Sequence, residues 1–200
     1  MRTAKWALVI GLATLGTSIV ARGSQDIREP VKKLGSVDQL LIRKYSPVDL
    51  RTLVANAEVV VRGVIAQTKS FLLANEVSTD CAVTVLSRIH GQAQVDSTTI
   101  TIRRPGGTLS LEGGTVFAYE PDFPMFEVGE EYVLFLKRSP DGYYVLPHGA
   151  QGAFRVESGN VSQVSRDTGI WNQERGVIGL LQFSNEIAVA AKSETIVKTP

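Results

Sequence analysis

Cys81 is the only cysteine in the 200 residues, and His90 and His148 are the only histidines. Together they bound the nucleophilic chemistry open to the chain. A thiol attacks as thiolate, so it needs a neighbouring base or an electropositive setting. A small exported hydrolase or thiol enzyme using Cys81 and a histidine is one reading. The pattern around Cys81 argues for another. Cys81, Val83, Val85, Ser87 and Ile89 fall on one face of an extended segment, with Ala82, Thr84 and Leu86 on the other. That alternation makes Cys81 a small buried core residue. Two histidines cannot form a three-histidine zinc site. G-x-S-x-G, H-E-x-x-H and the Walker loop are all missing from the sequence. With them go the nucleophile elbow, the helical zinc pair and the phosphate cradle. The expectation is no catalytic set, no metal site and no cofactor.

Residues suited to recognition are more numerous. Arg103-Arg104 precede Pro105-Gly106-Gly107. They are placed either to hold an anion or to guard an edge strand with charge. Phe117, Tyr119, Phe123 and Phe126 cluster in sequence, and exposed aromatics mark interfaces. Glu120, Asp122, Glu127, Glu130 and Glu131 offer carboxylates in the same stretch. Their spacing is not that of a calcium-binding loop, and a solvated loop is expected. His148 reads as a polar residue of a Gly-rich turn. Asn160-Val161-Ser162 fits the glycosylation pattern, which is a chance match in a bacterial protein. The candidate partner-binding set is therefore Arg103, Arg104, Gly106, Gly107, Tyr119, Phe123 and Phe126. Gly106 and Gly107 lie on the loop 105–114 and Tyr119, Phe123 and Phe126 on the loop 117–126, while Arg103-Arg104 end the strand before them.

The elements that must position these residues are mostly strands. Residues 59–69 are rich in β-branched types, and 79–89 alternate. Residues 98–103 form a short strand, and 109–117 a broken strand or hairpin around Gly113-Gly114. Residues 132–138 are apolar on both faces, which predicts a central, doubly covered strand. Ser139-Pro140-Asp141-Gly142 is a turn, since Pro fixes φ and Gly accepts a positive one. It returns the chain into 143–146. Residues 150–156 and 161–164 make a further hairpin. Two helices flank these strands. A short one covers 46–57, capped by Ser46 with Pro47 in its first turn, and another lies at 177–192. The fold class expected is mainly β: a closed or partly open antiparallel OB-like barrel with a short N-terminal helix and a C-terminal helix.

The first residues read as an address. Arg2 and Lys5 precede a short uncharged run, and small residues follow it around Ala21 and Gly23. This is the pattern of a secretory signal peptide. The run is too short to span a bilayer. The expected organisation is a signal peptide at 1–23, a flexible lead-in at 24–45, the barrel at 46–165 and a helical extension at 166–200. Losing 1–23 removes three basic residues and no acid, leaving 18 basic against 20 acidic residues. A slightly acidic secreted or periplasmic protein is expected, with no attachment to the membrane after cleavage. Its charge gives nucleic acid no foothold. The lack of cysteine pairs in an exported chain favours a bacterial source.

Four stretches carry a family resemblance: Ala57-Glu58-Val59-Val60-Val61-Arg62-Gly63-Val64-Ile65, Ile102-Arg103-Arg104-Pro105-Gly106-Gly107, Phe126-Glu127-Val128-Gly129-Glu130-Glu131-Tyr132-Val133-Leu134-Phe135-Leu136, and Gly149-Ala150-Gln151-Gly152-Ala153-Phe154-Arg155-Val156. They resemble a group of exported, largely uncharacterised bacterial proteins. The order of elements is also similar to the netrin-like OB barrels, the fold of the tissue inhibitors of metalloproteinases. That resemblance implies a protease-interacting partner surface. The inhibitors chelate the protease zinc through an N-terminal cysteine, and no cysteine stands near Ser24 or Gln25. The fold is expected to carry over without the inhibitory chemistry. The expected function is an exported non-catalytic binding module. An exported protein such as a metalloprotease is its first candidate partner.

Overall fold

A computed structural model describes residues 8–11, 18–21, 26–91, 98–165 and 176–197. The chain divides into two compact units. Unit 1 comprises Met1–Lys44, Lys69–Asp80 and Arg104–Met125; unit 2 comprises Tyr45–Thr68, Cys81–Arg103 and Phe126–Pro200. Strands β1 (Leu8–Gly11) and β2 (Ser18–Ala21) pair antiparallel within the segment expected to be a signal peptide. The other residues of 1–25 lie outside the described residues, among them Arg22, Gly23 and Ser24 at the cleavage points expected after Ala21 or Gly23.

The stretch expected as a flexible lead-in carries defined elements. Helix α1 (Arg28–Leu34) is followed directly by strand β3 (Ser36–Leu40). Gly35, at φ 73°, stops the helix, and its N–H donates to the Val31 carbonyl at 2.8 Å. The left-handed conformation there is one that glycine adopts without steric cost. Burial supplies the stability that composition alone hid: Ile27, Val31, Val37 and Leu41 are in the core of unit 1 with Val77, Val116 and Ala118. Each apolar run is too short to be read as an element by itself.

In unit 2 the first helix is α2 (Leu50–Asn56). Its cap is Asp49, not Ser46: Asp49 Oδ1 accepts from the Thr52 N–H at 2.8 Å. Ser46 and Val48 are instead held by a side chain far along the chain. The buried Gln151 amide accepts from Val48 N–H at 2.9 Å and donates to the Ser46 carbonyl at 3.1 Å. Strands β4 (Val59–Leu73) and β5 (Glu76–Gly91) run longer than expected. Between them Ala74 and Asn75 take φ values of 47° and 68°. Two successive positive φ values make a tight two-residue hairpin turn.

Strand β6 (Thr99–Pro105) leads to the hairpin of β7 (Gly107–Leu111) and β8 (Gly114–Tyr119). β8 lies between β7, antiparallel, and β3, parallel, in a three-stranded sheet. Strand β9 (Glu131–Arg138) is central, as its apolar run predicts. It pairs with β4 on one side and β11 (Ala153–Glu157) on the other, and Tyr132 to Leu136 are all buried. The expected turn at 139–142 leads into β10 (Tyr144–Val145), and β11 returns as β12 (Asn160–Gln163). β13 (Ile178–Gly179) and helix α3 (Leu180–Val197) complete the described residues.

The large sheet has the order β10-β6-β5-β4-β9-β11-β12-β13. β10 also pairs antiparallel with β9, and it is parallel to β6 through Tyr144 and Ile102. The fold is thus mainly β, with three α-helices among the described residues. The core of unit 2 gathers Leu53 and Val54 of α2, Val60, Val133, Phe135, Phe154 and Val161 of the sheet, and Phe183 and Ile187 of α3. Phe154 and Phe183 are 4.6 Å apart between centroids, within the range for tilted aromatic pairs.

Candidate functional site

The candidate residues divide between the two units. Arg104, Gly106, Gly107, Tyr119 and Phe123 belong to unit 1; Arg103 and Phe126 belong to unit 2.

In unit 1 the arginine is internal. Ile100, Ile102 and Arg104 share the buried face of β6, and Arg104 is only 1% exposed. Its Nη2 donates to the Phe123 carbonyl at 2.7 Å, its Nη1 to the Pro124 carbonyl, and its Nε to the Pro105 carbonyl at 3.1 Å. The guanidinium also covers the Phe123 ring, 3.9 Å from its centroid. A guanidinium suits this work because its planar fork presents several fixed donors. Arg104 pins the loop 121–125, and in this structure it offers no surface for an anion.

Gly106 and Gly107 make the close turn from β6 to β7. Their φ values are 84° and 138°. A Cβ on Gly107 would collide with Thr79 Oγ1 and Ser70 Oγ. Those hydroxyls form a short chain: Ser70 meets Thr79 at 2.9 Å, and Thr79 donates to the Gly106 carbonyl at 2.6 Å. Glycine is required here for packing and backbone shape.

Of the four aromatics, two are buried and two are exposed. Phe123 lies under Arg104, and Phe126 packs on Tyr132 with centroids 4.7 Å apart. Phe117 and Tyr119 are 44% and 47% exposed. Two residues apart on β8, they point to the same face because strand side chains alternate. The register sets Asp38 and Thr108 beside Phe117, and Leu40 beside Tyr119. The opposite face of β8 carries the buried Val116 and Ala118. β-strand parity was the signal in the sequence that separates Phe117 and Tyr119 from their neighbours.

Glu120 follows directly. It is 5% exposed, and its Oε2 is buried without a hydrogen-bond partner. Burial pushes its carboxyl up, while Arg43 and Arg104 pull it down and Asp122 pushes it further up. Its carbonyl accepts from the Phe123 N–H at 3.0 Å, closing the turn.

In unit 2, Arg103 stacks over the Tyr143 ring at 4.0 Å, within cation–π range. Cys81 is fully buried. His148 begins the Gly149–Gly152 turn, and its Nε2 is buried without a hydrogen-bond partner. Desolvation pushes its pKa down, which favours the neutral ring. A cleft of about 870 Å³ opens between α2 and α3, lined by Val48, Leu53, Leu181 and Val189 among others. Its carboxylates are engaged: Asp49 caps α2, and Glu186 accepts from Gln182 at 3.1 Å. Among the described residues, no group of three or more His, Cys, Asp or Glu is placed to hold a metal ion. No helix among them is long and apolar enough to cross a membrane.

No protein-family model matches the chain, and no curated protein matches it.

Proposed function

We propose that the chain is an exported, non-catalytic binding module that meets a protein partner through the outer face of β8. One observation carries the reading. Among the described residues, Phe117 and Tyr119 are the only aromatic side chains left exposed, and they stand two residues apart on the same face of β8. Exposed paired aromatics cost solvation unless something covers them, and Tyr and Phe are enriched where partners meet.

For unit 2 we propose an OB-like, partly closed barrel. The pairings β4-β5-β6-β10-β9-β4 form a ring, with β6 and β10 parallel, and that ring supports the reading. The resemblance to netrin-like barrels makes an exported protein such as a metalloprotease the first partner to test. Recognition would rest on β8, because the chain lacks the cysteine that chelates zinc in the inhibitors. Neither nucleic acid nor a cofactor has a part in this reading. The competing thiol enzyme needs an accessible Cys81, and the full burial of that thiol weighs against it.

The test places a photo-crosslinking side chain at position 117 or 119 in the exporting cell, with Thr101 as an exposed control. One protein captured at both positions and absent from the control is the expected result. Equal capture at all three sites, or capture at 117 unchanged by Tyr119→Ala and capture at 119 unchanged by Phe117→Ala, overturns the assignment.

A further inference from the structure

Glu120 is the buried acid that no binding surface uses. It is 95% withdrawn from solvent, and one of its carboxylate oxygens receives no hydrogen bond. An ionised carboxylate in that state pays a desolvation cost that neighbouring charges must offset. The charged groups facing it come from three places. Arg43 follows β3 and is itself paired with Glu76 of β5 at 3.3 Å. Arg104 comes from β6, with donors already given to the carbonyls of Phe123 and Pro124. Asp122 lies in the same loop and repels it. Both guanidiniums are thus shared with other acceptors, and a second carboxylate opposes them.

We propose that Glu120 is a proton-operated latch on the loop 121–125, tightening the loop when protonated and loosening it when ionised. A neutral carboxyl is tolerated in the closed loop; an ionised one gains by opening, because water then reaches Oε2. The loop is the segment Arg104 pins, and it continues directly from Tyr119. Uptake of one proton therefore sets how firmly the end of the aromatic strand is held. The inference concerns the loop alone and stands apart from the identity of any partner.

The direction follows from linkage. Burial is the largest influence and raises the carboxyl above its ordinary range. The closed loop is then most stable below the ordinary glutamate pKa. That stability is lost as pH rises through the raised value.

The Phe123 amide reports on the latch, because its N–H bonds to the Glu120 carbonyl. Hydrogen exchange at Phe123, corrected for intrinsic rate, should be followed from about pH 4 to about pH 8, spanning the ordinary glutamate range. Wild type should lose about tenfold protection for each pKa unit separating the closed and open loop. Glu120→Gln keeps the shape and removes the charge, so its protection should stay high and flat across the range. Asp122→Asn removes the repulsion and should move the wild-type loss to lower pH. A flat wild-type profile overturns the latch. So does a Glu120→Gln loop that is less protected than wild type at neutral pH, or an Asp122→Asn profile that does not move.

Discussion

The guanidinium of Arg104 lies 3.9 Å from the centroid of the Phe123 ring and donates to that same residue's carbonyl at 2.7 Å. One side chain thus fixes both ends of Phe123, its ring and its backbone. Truncating it leaves buried carbonyls without donors, each costing about 1–3 kcal/mol. Arg104→Ala should therefore destabilise the protein by about 3 kcal/mol or more, read from urea unfolding. Arg104→Lys should recover only part of the loss, because an ammonium lacks the planar fork. Recovery to wild-type stability in the lysine variant would contradict the geometry.

Gly107→Ala tests the turn from β6 to β7. The new methyl meets Thr79 and Ser70 hydroxyls at a φ that side chains rarely adopt. A loss of about 2 kcal/mol is expected from strain and overpacking. Thr79→Val strips the donor from the Gly106 carbonyl and should cost about 1–3 kcal/mol. The two changes share partners, so the double variant should lose less than their sum.

Asp49 gives a pH signature. The Thr52 N–H bond holds the Asp49 carboxyl below its ordinary value. Its capping contribution is present above the ordinary aspartate pKa and is lost as pH falls through the depressed one. Asp49→Ala should cost about 1 kcal/mol at neutral pH, with the difference from wild type shrinking in strong acid. A difference independent of pH would show that the cap is not electrostatic.

Cys81 should resist thiol reagents in the native protein and react once the chain is unfolded, since its side chain is fully buried. Cys81→Ser should destabilise by about 1–3 kcal/mol, because it buries a hydroxyl. Rapid native labelling would revive the thiol-enzyme reading.

Phe117→Ala with Tyr119→Ala should leave stability nearly unchanged while removing co-purification of the partner found by crosslinking. Exposed substitutions away from special features usually fall within about 0.5 kcal/mol. A large loss of stability would assign the pair to the fold instead.

Alternation made much of this legible. Cys81 and Val83 against Ala82 and Thr84, and the unbroken run from Tyr132 to Leu136, announced the strands they form. The same rule applied to Ile100, Ile102 and Arg104 puts the arginine inside. The charge of Arg104 concealed that parity, because a buried guanidinium is rare and its acceptors lie 19 and 20 residues on. α1 and β3 had no comparable signal. Their apolar residues are few, and β3 is fixed by parallel pairing with a strand far down the chain. The cap of α2 was misplaced for a related reason: what Ser46 bonds to is Gln151, which no local pattern reveals.

That parallel pairing has a consequence for biogenesis. β3 has no strand beside it in the β8 position until residues 115–119 have been synthesised, so unit 1 cannot close while the N-terminal half is emerging. Distant pairing of this kind slows folding. Val31 of α1 and Val37 of β3, apolar residues of the unit 1 core, therefore wait for Val116 and Ala118 before they are covered.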